Sequence, residues 1–203
     1  FAEEECYEWL GGWDQVGGAV ERRVDKAGRV LVVGNGNSGM AGAMARAGYR
    51  EVVAMDFSER VVDRMRAKEP QVRWEVADVR AMAVFADGEF DAVLDKAVMD
   101  ALVVDEGSPW EPGDAAKSDV AAMIREVLRV LRPGGLYMQI TFQQPFFRSR
   151  YLRGVFDKRR SDHTAYPWTV EQPEKLDIGL GYFIFYCVSD CPAPHSSLDS
   201  GYK

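Results

Sequence analysis

A glycine-rich loop and an acidic residue that follows it by about 20 positions could together bind a nucleoside. Residues 34–39 read GNGNSG and lie between an apolar run and a segment of small residues. Asp56 ends the next apolar run. Glycine lets the backbone approach a ligand closely, and a carboxylate at this place can accept hydrogen bonds from both ribose hydroxyls. The alternative is a tight turn and a helix-capping aspartate beside Ser58, but the two features together favour a nucleoside site.

The size of the chain limits which nucleoside cofactor fits this pattern. A nicotinamide enzyme needs further residues to hold its substrate, commonly in a second domain. Only about 60 of the 203 residues follow the part of the chain that contains the loop, which is too few for such a domain. S-adenosylmethionine is smaller and carries its own reactive methyl group. The sequence therefore favours S-adenosylmethionine, with a dinucleotide oxidoreductase as the alternative.

Three later features support this choice by their order and spacing. Asp78 follows a third strand-like run, where it can reach the adenine amino group, and Val79 can offer a backbone N–H beneath the base. Residues 90–95 (FDAVLD) form an apolar run bounded by acids, which ends where a methyl acceptor would enter. Residues 131–135 (LRPGG) form a turn before a further strand. Asp78 could also merely cap a turn, but the three features in this order favour a cofactor site.

The elements that must position these residues alternate along the first two thirds of the chain. Apolar runs and amphipathic segments of this length predict a doubly wound α/β sheet that is mostly parallel. We expect a single domain over residues 1–188 and a flexible tail over 189–203. Within the domain we expect an N-terminal helix (7–25), a cofactor-binding part (29–142) and a substrate-side part (143–188). The predicted strands are 29–33, 51–55, 72–76, 90–94, 136–142 and 181–188, with a possible further strand at 166–170. The predicted helices are 38–47, 59–67 and 118–131.

The composition and charge of the chain indicate which kind of protein it is and which kind of partner it would bind. The chain is 47% hydrophobic and 28% charged with a formal net charge of −7, which is typical of a globular domain and argues against a nucleic-acid surface. A basic partner suits this charge better. Cys6, Cys187, Cys191, His163 and His195 show no metal-ligand spacing and no disulfide framework, so we predict no metal and a reducing compartment, cytosolic or nuclear. Of these two we choose the cytoplasm. No apolar run approaches the roughly 20 residues that span a membrane.

The glycine loop, Asp56, Asp78 and the two later segments together resemble the class I S-adenosylmethionine-dependent methyltransferases. A narrower resemblance extends over most of the chain up to about residue 151. It is to the methyltransferase-like group that includes the elongation factor 1-alpha lysine methyltransferases. The segments that carry it are YEWLG (7–11), VGNGNS (33–38), LDK (94–96), MDAL (99–102), PW (109–110) and FRSRY (147–151).

The resemblance implies a Rossmann-like fold of the class I type with an antiparallel C-terminal strand, S-adenosylmethionine as cofactor, and a protein substrate for which elongation factor 1-alpha is the candidate. It also implies a cofactor site, with Asp95 and Lys96 as the candidate catalytic residues. Asp95 could orient an acceptor amine or pass its proton to water. The implied cofactor-binding residues are Gly34, Asn35 and Gly36 near the methionine moiety, Asp56 and Phe57 at the ribose and adenine edge, Asp78 and Val79 at the base, Lys96 near the amino-acid end, and Trp9 as a cover.

The sequence departs from the family pattern at the loop and at the acceptor side. Asn35 stands where relatives usually have cysteine, and Ala97 and Val98 stand where relatives have glycine and threonine. The loop should tolerate its change because it binds through the backbone. The change at residues 97–98 leaves the acceptor preference open, since this turn faces the transferred methyl group. A cofactor-covering element of the group would precede Phe1.

Two charged segments could shape the entrance for the acceptor. Residues 105–114 are acidic around Trp110 and could receive a basic peptide or simply be a solvated loop. Residues 146–160 alternate basic and aromatic side chains, which is compatible with RNA binding but more typical of a helix with a buried aromatic face. The alternatives to a protein-lysine methyltransferase are therefore a small-molecule or RNA methyltransferase and an inactive cofactor-binding partner subunit.

Overall fold

The computed structural model describes residues 7–156, 164–178 and 181–190. The strands in this part of the chain are β1 (Arg29–Val33), β2 (Glu51–Asp56), β3 (Arg73–Val76), β4 (Phe90–Lys96), β5 (Gly107–Ser108), β6 (Glu111–Pro112), β7 (Leu131–Thr141), β8 (Trp168–Val170), β9 (Glu174–Leu176) and β10 (Tyr182–Ser189). The helices are α1 (Trp13–Arg23), α2 (Met40–Arg46), α3 (Glu59–Lys68), α4 (Val98–Leu102), α5 (Asp114–Val130) and α6 (Pro145–Arg153).

Eight of the described strands form one sheet in the order β3-β2-β1-β4-β7-β10-β8, with β9 also paired to β10. The pairs from β3 to β7 are all parallel. In contrast, β10 is antiparallel to β7, β8 and β9. The prediction of a mostly parallel α/β sheet with an antiparallel C-terminal strand is confirmed. The short pair β5 and β6 forms a separate hairpin.

The sheet is covered by helices on both faces because its central strands are apolar at successive positions. In β1, Leu31 and Val33 belong to a core cluster with residues of α4, α5 and α6. Val30 and Val32 belong to a second cluster with residues of α1, α2 and α3. Side chains of a strand alternate between faces, so this split places three helices on each side of the sheet.

Some boundaries differ from the sequence prediction for local reasons. The N-terminal helix begins at Trp13 rather than at residue 7, because Leu10 and Gly11 have φ values of 61° and 92°, which no α-helix contains. The helix predicted from residue 118 begins at Asp114, directly after extended Gly113. Ser189, placed in the predicted tail, is the buried last residue of β10, whereas residues 191–203 lie outside the described part of the chain.

Candidate functional site

A cavity of about 610 Å³ opens at the carboxyl ends of β1, β2 and β4. The strand order reverses direction at β1 and β4, and ligands of doubly wound sheets bind at such a point. The cavity is also bordered by the segment before α1, by α4 and by the residue after β7. Its lining residues are Tyr7, Trp9, Gly34, Asn35, Gly36, Asn37, Ser38, Asp56, Phe57, Lys96, Ala97, Val98, Asp100, Ala101, Val104 and Phe142.

The loop after β1 needs glycine at two positions for different reasons. Gly34 has a φ of 51°, and a Cβ placed there would lie 2.4 Å from the Cγ2 atom of Val98 at the start of α4. Gly36 has a φ of 56°, and a Cβ there would meet no atom within 4 Å. Asn35 fixes the loop, since its backbone N–H donates to the Met55 carbonyl at 3.0 Å. The loop is therefore packed on one side and open on the side of Gly36.

Asp56 lies at the end of β2 and holds the same loop from the second strand. Its two carboxylate oxygens accept hydrogen bonds from the backbone N–H groups of Gly36 at 2.9 Å and Ser58 at 3.0 Å. Each oxygen can accept at least one further hydrogen bond. Phe57, the next residue, lines the cavity with a side chain that is 79% exposed. Asp56 and Phe57 thus offer an acceptor pair and an apolar ring at one end of the cavity.

The segment before α1 is fastened to the cavity wall by Glu8. Its carboxylate accepts hydrogen bonds from the Ser38 hydroxyl and the Gly39 N–H, both at 2.7 Å, and from Lys96 Nζ at 2.6 Å. Lys96 Nζ also donates to the Gly11 carbonyl at 2.9 Å. Burial raises the pKa of Glu8, but the hydrogen bonds from Lys96, Ser38 and Gly39 outweigh it and leave the pKa below its usual value. We call these contacts of Glu8 with Ser38, Gly39 and Lys96 the N-terminal clamp.

The Lys96 amine is held by the clamp, whereas the Trp9 ring is partly exposed at the cavity. The Lys96 side chain lines the cavity but is only 8% exposed, with its amine bound to Glu8 and Gly11. Trp9 also lines the cavity, is 46% exposed, and packs with its ring centroid 6.0 Å from that of Tyr7. Trp9 precedes α1 rather than lying in it.

Asp95 is fully buried beneath the cavity instead of lining it. One of its oxygens accepts from the Val98 N–H at 2.7 Å and the other from the Tyr137 hydroxyl at 2.7 Å and Gln139 Nε2 at 2.8 Å. These bonds fix the start of α4, because Val98 is its first residue. Ala97 precedes it with a φ of 70°, a backbone conformation that glycine adopts more readily than alanine.

Asp100 is the carboxylate that the sequence analysis did not select and that the structure brings to the cavity. It is 7% exposed, and its Oδ1 accepts hydrogen bonds from the Thr141 hydroxyl at 2.6 Å and from Arg148. Burial raises the pKa of Asp100, and the Arg148 charge and the Thr141 hydrogen bond offset this only in part. The MDAL segment (99–102) was the sequence signal that could have pointed to Asp100. Its hydrogen-bond partners, however, come from β7 and α6.

Asp78 and Val79 are not among the residues that line the cavity. The Asp78 carboxylate accepts hydrogen bonds from the Arg80 guanidinium, with the shortest at 2.7 Å, and from the Arg80 backbone N–H at 2.8 Å. The hydrogen bond from the Arg80 side chain lowers the pKa of Asp78 despite some burial. Val79 is 7% exposed and belongs to the core.

Each of the two charged entrance segments contains a buried charged side chain. In the acidic segment, Glu106 is buried and accepts from the Tyr151 hydroxyl at 2.5 Å. In the basic segment, Arg148 is 0% exposed, and Arg150 donates to the Pro109 and Trp110 carbonyls. Neither segment is therefore a uniform charged surface. Lys158, Arg159 and Arg160 lie outside the described residues.

The described ranges contain neither a metal-binding cluster nor a membrane-spanning helix. No cluster of three or more His, Cys, Asp or Glu residues there could hold a metal ion. Nor does any helix in that part of the chain combine the length and apolarity needed to cross a bilayer.

Comparison with known proteins shows which family the chain is similar to. A family model described as a methyltransferase domain matches residues 31–138, just over half of the chain. The chain is 37% identical over 153 residues to EEF1A lysine methyltransferase 4 of Bos taurus, with 74% of this chain and 60% of that protein covered. It is 32% identical over 203 residues to the eEF1A lysine and N-terminal methyltransferase of Homo sapiens, with 96% of this chain and 28% of that protein covered. The chain thus spans less than two thirds of the length of these relatives.

Solved structures share the fold at low sequence identity. A SAM-dependent methyltransferase from Methanosarcina mazei superimposes with a TM-score of 0.59 at 15% identity, covering 84% of this chain and 96% of that one. A methyltransferase from Pyrococcus furiosus gives a TM-score of 0.61 at 14% identity, covering 85% of this chain and 80% of that one.

Proposed function

The chain belongs to the methyltransferase domain family and has the fold of S-adenosylmethionine-dependent methyltransferases, and from this premise we propose that it is a protein-lysine N-methyltransferase that acts on elongation factor 1-alpha. The family and the fold imply S-adenosylmethionine as the cofactor. The observation that carries the proposal is the cavity over the glycine loop, with Asp56 at one end and a buried acid, Asp100, at its α4 side. The lysine acceptor and its protein come from the names of the relatives.

The residues of the cavity fit this cofactor. A volume of about 610 Å³ lies within the usual range for small-ligand sites. Asp56 would accept hydrogen bonds from the ribose hydroxyls, Phe57 and Trp9 offer apolar surface for the nucleoside, and the loop at Gly36 leaves open space for close approach. Asp78 is not included in the proposed site, because its carboxylate is bound by Arg80.

When bound, S-adenosylmethionine supplies a methyl group on a positively charged sulfur, which is electrophilic without further activation. The task of the protein is then to hold the acceptor nitrogen in line with that group at about 3 Å and to exclude water. The N-terminal clamp fastens one wall of the cavity to the glycine loop. Asp95 acts as a positioning residue, because its bonds to Val98 and Tyr137 fix the turn into α4.

A lysine acceptor must be neutral when it reacts. With an ordinary pKa near 10.4, removal of its proton at pH 7 costs about 4 to 5 kcal/mol. A partly dry cavity next to a cationic sulfur lowers that cost by disfavouring the charged amine. Action on a translation factor also implies a cytoplasmic site of action.

The proposal is tested with methyl-labelled S-adenosylmethionine and purified elongation factor 1-alpha. We expect label on the elongation factor, mapped to a lysine by mass spectrometry. The matched acceptor is the same elongation factor with its amines blocked by prior acetylation, which should take up no label. Label on RNA or on small metabolites of a lysate, with none on protein, would contradict the lysine assignment. Cofactor binding without any transfer would instead favour an inactive partner subunit.

A further inference from the structure

Three aromatic side chains outside the cavity form a contiguous patch on the protein surface. The ring centroid of Trp110 lies 4.9 Å from that of Phe147 and 5.8 Å from that of Phe146. The two phenylalanine rings are 5.3 Å apart. Trp110 is 56% exposed and Phe146 is 50% exposed. We call these three residues the aromatic patch. Exposed aromatic rings in mutual contact are typical of an interaction surface.

Hydrogen bonds hold the aromatic patch in place. Trp110 lies in the turn of the β5–β6 hairpin, and the Arg150 guanidinium of α6 donates to the Pro109 carbonyl at 2.9 Å and to the Trp110 carbonyl at 3.0 Å. Glu106, the residue before β5, is buried and accepts from the Tyr151 hydroxyl of α6 at 2.5 Å. The hairpin is therefore fixed on α6, and a rigid aromatic surface loses little conformational entropy when a partner binds.

Two segments of the chain connect the aromatic patch to the cavity. One covers residues 104–110 and the other residues 142–147, and each begins at a residue that lines the cavity and ends at the patch. The Gln143 side chain donates to the Glu106 carboxylate at 3.2 Å, which joins the two segments between their ends. The first residues of the segments are 78% and 50% exposed and apolar. A partner bound to the patch would therefore lie beside the opening of the cavity.

The exposed carboxylates next to the aromatic patch favour a basic partner. Asp105 precedes the hairpin and Glu111 begins its second strand, and both are exposed without an ion pair within the described part of the chain. Two arginines of α6 are held by the protein itself, since Arg148 is buried and Arg150 donates to three backbone carbonyls. Lys and Arg side chains stack on aromatic rings and pair with carboxylates, whereas the phosphates of RNA are repelled by carboxylates.

From these observations we infer that the aromatic patch, together with Asp105 and Glu111, is a docking surface for a basic segment of the substrate protein. Lys or Arg side chains of that segment stack on Trp110 and pair with the two acids, while the residue to be methylated enters the cavity. This inference rests on the proposed function, since it assumes a protein acceptor. It goes further because it assigns recognition of the substrate to a surface outside the cofactor cavity.

The test compares charge reversals at two places on the chain. The docking variant carries Asp105→Lys with Glu111→Lys. The control variant carries Glu21→Lys with Glu51→Lys, which changes the net charge equally at two exposed acids. Glu51 begins β2, whose opposite end borders the cavity, so the control leaves the docking surface intact. Binding of purified elongation factor 1-alpha is measured by biolayer interferometry in the presence of S-adenosylhomocysteine, and KM and kcat are measured by transfer of labelled methyl.

At about 50 mM salt, we expect the docking variant to bind the elongation factor at least about tenfold more weakly than the wild type and the control, because two attractive charges become repulsive. The difference should shrink as salt is added, since these charges are exposed. KM should rise in proportion, while kcat and the affinity for S-adenosylmethionine stay within about twofold, because neither acid lines the cavity. Trp110→Ala should also weaken binding at least about tenfold, and Trp110→Phe by about threefold or less, because phenylalanine keeps an aromatic face.

Equal affinities of the docking variant and the control for the elongation factor would overturn the inference. A folded Trp110→Ala with wild-type affinity would overturn it as well. So would a wild-type dimer that Trp110→Ala converts into a monomer in light scattering, because a second copy would then cover the patch. The charge reversals change only exposed side chains, so the test stands even if Trp110→Ala does not fold. Absence of methyl transfer from the wild type to protein would instead refute the proposed function.

Discussion

The glycine loop offers a paired substitution whose two members should differ sharply in stability. Alanine at Gly34 must adopt a φ of 51°, which costs about 1–2 kcal/mol in the left-handed region. Its Cβ would also meet Val98 Cγ2 at 2.4 Å, and relieving such an overlap costs about 1–3 kcal/mol more. Valine is stiff at χ1, so the loop or α4 must move. Gly34→Ala should therefore lower the free energy of unfolding by about 2–5 kcal/mol.

Gly36→Ala is the matched control because it has nearly the same backbone but no neighbour. Its φ is 56° and no atom lies within 4 Å of the added Cβ, so only the conformational cost of about 1–2 kcal/mol remains. Urea unfolding followed by circular dichroism measures both variants against the wild type at unchanged m value. Equal losses, within about 0.5 kcal/mol, would refute the packing of α4 on Gly34. Because Gly36 borders the open cavity, a Cβ there would hold the ligand away from the backbone, and its variant should also lose at least about tenfold in affinity for S-adenosylmethionine.

Two further substitutions test the residues around the loop. Ala97→Gly should leave the free energy of unfolding unchanged or raise it by up to about 1 kcal/mol, because glycine relieves the strain of a φ of 70°. The control Ala122→Gly, within α5, should lower the free energy of unfolding by about 1 kcal/mol. Equal losses in urea unfolding would contradict the strain at Ala97. Glu8→Gln should reduce stability at neutral pH. Since the folded pKa of Glu8 is below its usual value, the wild-type advantage should persist above about pH 4.3 and vanish as the pH falls through the folded pKa. A difference in melting temperature that stays constant from pH 7 to pH 3 would show that the N-terminal clamp does not depend on this carboxylate.

The parts of the fold and site that the sequence predicts well are those that depend on near neighbours. The loop at 34–39 and Asp56 lie at the ends of adjacent parallel strands, so their spacing along the chain already determines that they meet. The alternation of apolar runs likewise predicts β1 to β4 to within a few residues.

The parts that sequence alone does not predict depend on contacts between distant segments. Arg148 lies in a segment whose composition indicates a surface, yet it is buried against Asp100, 48 positions earlier. The position of Asp78 after the third strand predicts a base-binding residue, but its carboxylate accepts hydrogen bonds from the Arg80 guanidinium. Lys96 has a defined partner only because the chain before α1 turns back at Leu10 and brings Glu8 to the cavity.

The central claim is that the cavity over the glycine loop binds S-adenosylmethionine and that Asp56 holds its ribose. Titration calorimetry of the wild type, Asp56→Ala and the control Asp63→Ala, which removes an exposed acid on α3, tests this directly. Two hydrogen bonds to a charged acceptor are worth about 3 kcal/mol or more, so Asp56→Ala should bind S-adenosylmethionine at least about 100-fold more weakly than the other two proteins. Unchanged affinity in Asp56→Ala, or binding of NAD in preference to S-adenosylmethionine by the wild type, would contradict it.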